Sequence, residues 1–158
     1  MGKVDVSYGR PTGFGGMMYG AGYGTHENVS KEADKLGKMI AKAFPKNNYE
    51  VRCNTDGLSC GARYDGEYDY GLGVGIVPDI EAKYLKNWGG LKPGELAYDA
   101  NFNINPADLA EVKKKVPHHQ ISSMSEGNPM VCSKQFRTAR EALSWLRRYG
   151  RKYCPSMR

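Results

Sequence analysis

From Tyr49 onward the side chains alternate, and this alternation constrains the fold more than any other feature of the chain. Tyr49, Val51 and Cys53 are separated by Glu50 and Arg52. After Asp56-Gly57 the alternation resumes at Leu58, Cys60, Ala62 and Tyr64, and after Asp65-Gly66 it continues through Tyr68, Tyr70, Leu72, Val74 and Ile76. A period of two turns one face of each run toward a core, and Asp-Gly tolerates the positive backbone angles of a tight hairpin. The expected product is an antiparallel meander. The opposite face of the third run is Asp69, Gly71, Gly73 and Gly75. So little side-chain volume means that a neighbour approaches the backbone closely or that the sheet bends there.

Helical periods flank the meander. Val29, Ala33, Leu36, Ile40 and Phe44 form one stripe, with Ser30 as the expected N-cap and Pro45 as the stop. A short helix is expected after Pro78-Asp79, with Ile80, Tyr84, Leu85 and Trp88 on one side and Gly89-Gly90 ending it. Leu96, Tyr98, Phe102 and Ile104 restore period two. Asn105-Pro106-x-Asp108 then opens a helix through Leu109, Val112 and Val116, whose Lys113-Lys114-Lys115 run offsets the dipole at its carbonyl end. Residues 118–128 read as a loop, and Met130, Cys132 and Phe136 as a last strand. Thr138-x-x-Glu141 is a capping box for a final helix over 139–150, with Gly150 as its C-cap. The fold class is α+β: an antiparallel sheet, a β-meander plus additional strands, packed against three to four helices. At 158 residues the chain is long enough for one real core, so 1–158 is read as a single domain.

Charge is unevenly distributed. Residues 134–158 carry eight basic groups, Lys134, Arg137, Arg140, Arg147, Arg148, Arg151, Lys152 and Arg158, against Glu141 alone. That is +7 in a chain whose total is +6, so the other 133 residues sum to −1. On the final helix Ala142, Leu143, Leu146 and Tyr149 take one side, while Arg140, Ser144, Arg147, Arg148 and Arg151 take the other. This flank, with Arg137 and Lys152, is the candidate surface for a polyanion or an acidic partner. The bland alternative is a solvated helix face. Residues 7–25 read as a Gly/Tyr-rich arm, in which Tyr19 and Tyr23 are candidate base-stacking rings. Gly20-x-Gly22-x-Gly24 lacks the spacing of a dinucleotide fingerprint.

Signs of catalysis are thin. Cys53, Cys60, Cys132 and Cys154 contain no CxxC pair, and His118-His119 are adjacent while His26 is remote, so no metal and no cofactor is expected. Cys53, Cys60 and Cys132 are read as small hydrophobes on apolar strand faces. Cys132 with His118 or His119 could be assembled into a nucleophile and base, and Asp65, Glu67 and Asp69 into a cation site, but neither spacing requires it. No apolar run approaches the roughly 20 residues of a membrane span, and Met1-Gly2-Lys3-Val4-Asp5 lacks the apolar core of a secretory signal. No membrane partner and a cytoplasmic location are the expectations.

One stretch resembles a known family. Ala33, Ile40, Ala43-Phe44-Pro45, Tyr49-Glu50-Val51-Arg52 and the strand from Leu58 to Arg63 resemble a small domain associated with the large polyvalent proteins of phages and conjugative elements. The resemblance covers residues 30–76 and implies a mobile-element protein acting inside a bacterial host, in a setting where such neighbours often oppose defence systems. It supplies no catalytic residues. The expected function is therefore a non-enzymatic, anti-defence accessory protein that binds a host nucleic-acid-processing complex, or its DNA or RNA, through the basic helix. The alternatives are a stoichiometric inhibitor of a host defence enzyme that makes no nucleic-acid contact, and a small enzyme with a Cys/His or acidic site.

Overall fold

A computed structural model of the chain describes residues 4–8, 26–53, 60–64, 70–77, 97–122 and 128–157. Strands β1 (Val4–Tyr8), β2 (Tyr49–Cys53), β3 (Cys60–Tyr64), β4 (Leu72–Val77), β5 (Ala97–Asn103), β6 (Gln120–Ser122) and β7 (Met130–Cys132) form one sheet in the order β1-β2-β3-β4-β5-β7-β6. All neighbours are antiparallel except β1, which lies parallel to β2. The α+β class and the antiparallel meander are as the alternation requires. The sheet also has two members beyond those expected, β1 and β6; Gln120–Ser122 pairs with β7 in place of the expected loop.

Register shows why the alternation works. Val51, Ala62, Val74 and Ala100 stand in one line across four strands, and Leu72, Phe102, Val131 and Ile121 in another. Helix α1 (His26–Ala43) covers the apolar face at β2 and β3 with Ala33, Leu36 and Ile40, all fully buried. Each of the two larger side chains contributes about 2 kcal/mol by leaving water. Lys31, Lys35, Lys38 and Lys42 remain exposed. The helix begins at His26, so Ser30 lies within its second turn rather than capping it. Its end is held by Phe44, whose amide bonds Ile40 O at 2.9 Å and whose carbonyl accepts from Tyr49 Oη at 2.8 Å.

Asn105 is followed by a 3-10 turn (Pro106–Asp108) and helix α2 (Leu109–Lys115). Its side chain does not cap that turn and instead accepts from Tyr70 Oη. Helix α3 (Ala139–Trp145) runs on through a π-helical segment (Leu146–Gly150) into a last turn, α4 (Arg151–Tyr153). Gly150 therefore does not terminate the helix; its backbone is right-handed helical (φ −64°, ψ −42°). A Cβ there would meet the outer atoms of Met157 and Leu146, flexible side chains that pack against this turn. Beyond α4, Ser156 Oγ donates to Tyr70 O and Asn47 Nδ2 donates to Ser156 O at 3.2 Å, tying this segment to the start of β4 and the end of α1.

The glycine face of β4 is a close approach. A Cβ on Gly61 would meet Val74 O and lie 2.7 Å from Gly75 Cα, and one on Gly71 would lie 2.7 Å from Tyr64 O. Arg63 crosses this polar face, its guanidinium donating to Asn101 Oδ1 and, at 2.9 Å, to Asn103 Oδ1. Asn103 is buried, and its Oδ1 also accepts the Gly71 amide at 3.0 Å while its Nδ2 donates to Asn128 O at 3.1 Å. The short helix expected over 80–88 and both Asp-Gly turns lie outside the described residues.

Candidate functional site

The basic helix is built from its N-cap. Thr138 has an extended backbone, its Oγ1 accepts the Glu141 amide at 3.2 Å, and its hydroxyl donates to Glu141 Oε1 at 2.9 Å. This is the capping box in a variant form, in which the carboxylate grips the threonine hydroxyl. Ala142, Leu143, Trp145 and Leu146 are buried against β5 and the core. The amphipathic division drawn from sequence is thus present, except that Tyr149 is only half-buried.

Arg137, Arg140, Arg147, Arg148, Arg151 and Lys152 are all exposed. Among the described residues no carboxylate forms an ion pair with Arg140, Arg147, Arg148 or Arg151. Arg137 and Lys152 do have contacts, the latter over the Tyr153 ring at 5.3 Å. The arginines do not, however, make a single row. A π-helical turn takes in about one more residue than an α turn, which rotates the next turn of the helix by roughly 100°. Arg151 accordingly lies over the Phe44 ring at 5.8 Å, beside a small hollow of about 130 Å³ walled by Pro45, Asn47, Ser156 and Met157.

Arg140 and Arg148 face a larger groove of about 490 Å³. Phe136, Trp145, Tyr149 and Pro117 make its apolar lining; Lys134, Arg140 and Arg148 supply positive charge, Glu141 the one negative charge among the described residues, and Ser144 a hydroxyl. Trp145 is fixed by a hydrogen bond from Nε1 to Pro117 O at 2.8 Å and packs 5.2 Å from Phe102 and 6.0 Å from Tyr149, centroid to centroid. Arg148 stacks over Tyr149 at 5.3 Å. Phe136 is held by two backbone hydrogen bonds with Tyr98, at 2.8 and 2.7 Å. Sequence reasoning singles out Arg140 and Arg148; Lys134, counted there only among the basic groups of the tail, and the aromatic lining, whose members come from three separate segments, are added by the structure.

The other candidates are placed differently. Tyr19 and Tyr23 lie outside the described residues, as do Asp65, Glu67 and Asp69. Tyr64 is half-buried, edge-on to Tyr49 at 6.3 Å. Cys132 is not on the apolar face: register sets it opposite Asn101 and Gln120, on the polar side of the sheet. Burial pushes its thiol up to about 11, Asp99 adding to the rise and Arg63 opposing it, so the sulfur is protonated at neutral pH. His119 meets Cys132 only through the backbone, N to O at 2.9 Å, and His118 Nδ1 bonds Val116 O at 2.7 Å. The described residues therefore show no activated Cys/His pair.

Among the described residues no group of three or more His, Cys, Asp or Glu side chains could hold a metal ion, and no helix is long and apolar enough to cross a membrane. Compared with known proteins, the chain matches no family model, no curated protein and no solved structure.

Proposed function

We propose that this is a non-enzymatic binding protein that grips the phosphate backbone of nucleic acid through the arginines of α3 and its extension. The observation that carries this reading is the exposure of Arg140, Arg147, Arg148 and Arg151 with no ion-paired carboxylate among the described residues. An arginine whose fork is not already occupied can meet a phosphate in bidentate fashion without first breaking an internal pair. Contacts of this kind fix register on a strand and carry no base sequence. The resemblance over residues 30–76 supplies the biological setting of the proposal: a phage or mobile-element accessory protein in a bacterial cytoplasm, directed against a host defence or nucleic-acid-processing complex.

The test is fluorescence anisotropy with labelled oligonucleotides at a low and a high salt concentration. Each phosphate neutralised steepens the dependence of log K on log salt by close to one unit, so four arginines contribute a slope of roughly −3 to −4. Replacing Arg140, Arg147, Arg148 and Arg151 together with Gln is expected to flatten that slope and lower affinity at least about 100-fold at low salt. Unchanged binding in this variant sinks the reading. If wild-type protein ignores the oligonucleotides but captures one defined host protein after nuclease treatment, the target is protein rather than nucleic acid.

A further inference from the structure

We infer that the groove beside α3 receives an unstacked nucleobase, so that the protein selects single strands over duplex. This rests on the phosphate contact proposed above and names the class of nucleic acid. Three observations converge on it. The groove's volume, about 490 Å³, lies within the range of small-ligand sites, and its wall is aromatic rather than aliphatic: Phe136 and Tyr149 are half-buried rings backed by Trp145. A planar ring is the natural partner of a base, and such stacking tolerates any sequence because every base has a π face.

The charge at the rim points the same way. Arg140 and Arg148 flank Ser144, one helical turn to either side of it, and Lys134 adds a third cation from the segment after β7. This arrangement suits a strand whose base turns into the groove while its flanking phosphates stay outside. Glu141, which accepts from the Thr138 hydroxyl at 2.9 Å, keeps its negative charge, and the three cations outnumber it at the rim. Arg148 already lies over an aromatic neighbour, Tyr149, and can extend the stacking surface. In a duplex the bases are paired and stacked inside, so only the backbone contacts would be available. An acidic peptide with an aromatic anchor would share the charge logic but lacks the regular phosphate spacing.

The experiment compares a labelled single strand with a blunt-ended duplex of equal charge, each over the same series of salt concentrations, using wild-type protein and Ser144→Leu. Ser144 is exposed and uncharged, so a larger side chain there plugs the groove from its rim and leaves both the core and the cations in place. Wild-type protein is expected to prefer the single strand by about tenfold, the size of one base-stacking contribution. Ser144→Leu is expected to lose that preference and keep the duplex affinity and salt slope. Phe136→Leu, which removes a ring and nearly keeps its volume, is expected to do the same. Equal wild-type affinity for both forms with a steep salt slope overturns the groove assignment while leaving the arginine reading intact. Wild-type affinity at background for both forms overturns both. A Trp-containing poly-glutamate peptide that displaces the single strand as well as unlabelled oligonucleotide does also overturns the assignment, in favour of a protein partner.

Discussion

Arg63 and Arg148 have the same side chain, but opposite surroundings. Arg63 lies across the polar face of the sheet, over a glycine-lined strand, and spends its donors on Asn101 and Asn103. Arg148 stands in solvent at the edge of an aromatic groove, stacked on Tyr149. The first cation holds the protein together, and the second is available to something else. Net charge counts them equally; their hydrogen-bond partners separate them. A buried acceptor that loses its donor costs the full desolvation of that group, whereas a solvated guanidinium removed from a helix surface costs almost nothing.

This contrast can be broken experimentally, beginning with the close approach of β3 and β4 on the face that Arg63 crosses. Gly61→Ala would force a methyl against Val74 O and Gly75 Cα, both backbone atoms that cannot swing aside, so a loss of about 3 kcal/mol is expected from the urea midpoint. Arg63→Met is expected to cost about 2 kcal/mol, because Asn101 Oδ1 loses a charged donor and Asn103 Oδ1 keeps only the Gly71 amide. Arg140→Gln with Arg148→Gln should shift stability by less than about 0.5 kcal/mol while weakening oligonucleotide binding. If both arginine replacements proved equally harmless to stability, the distinction would collapse.

Alkaline titration sharpens the same picture from the interior. Burial pushes Tyr49 up to about 12 from its ordinary 10.0, and burial together with the neighbouring Glu32 carboxylate pushes Tyr98 higher still. Burial pushes Cys132 up to about 11 from 9.0. Each folded value lies above its unfolded one, so the stabilisation is complete below the unfolded value and is lost as pH rises toward the folded one. Unfolding midpoints should stay level from neutral pH to about 9 with respect to these groups and fall progressively above it. A midpoint that stays level or rises through the next two pH units would contradict the burial of these three side chains.

How much of the molecule is legible in its sequence depends on how far each signal reaches along the chain. The meander is readable because alternation over five or six residues is a local consequence of one buried face, as Val51, Ala62 and Val74 show. Strand β6 is not, since three residues with one apolar member, Ile121, carry no period of their own. Gly150 looks like a cap because glycine after a helical pattern usually is one; its partner, Met157, comes from the turn beyond α4. Asn105 has the chemistry of an N-cap, but Tyr70 competes for its side chain from the approach to β4. At the candidate site the arginines announce themselves by spacing. The groove they border does not, because Pro117 from the α2–β6 connection, Phe136 from the segment paired to β5, and Trp145 from α3 meet only in the folded protein.

The stitch made by Ser156 has a consequence for how this protein comes into being. Asn47 and Ser156 are 109 residues apart in the chain, and Tyr70 and Ser156 are 86 apart, so both bonds close loops that span most of the sheet. During synthesis, at roughly 5–20 residues per second, the meander emerges seconds before the segment that seals it. These two bonds can form only once Ser156 has cleared the ribosomal tunnel, so until then the meander lacks this tie. A bulky fusion partner placed just after Ser156 would crowd these two contacts, whereas the same partner at the amino end would leave them untouched.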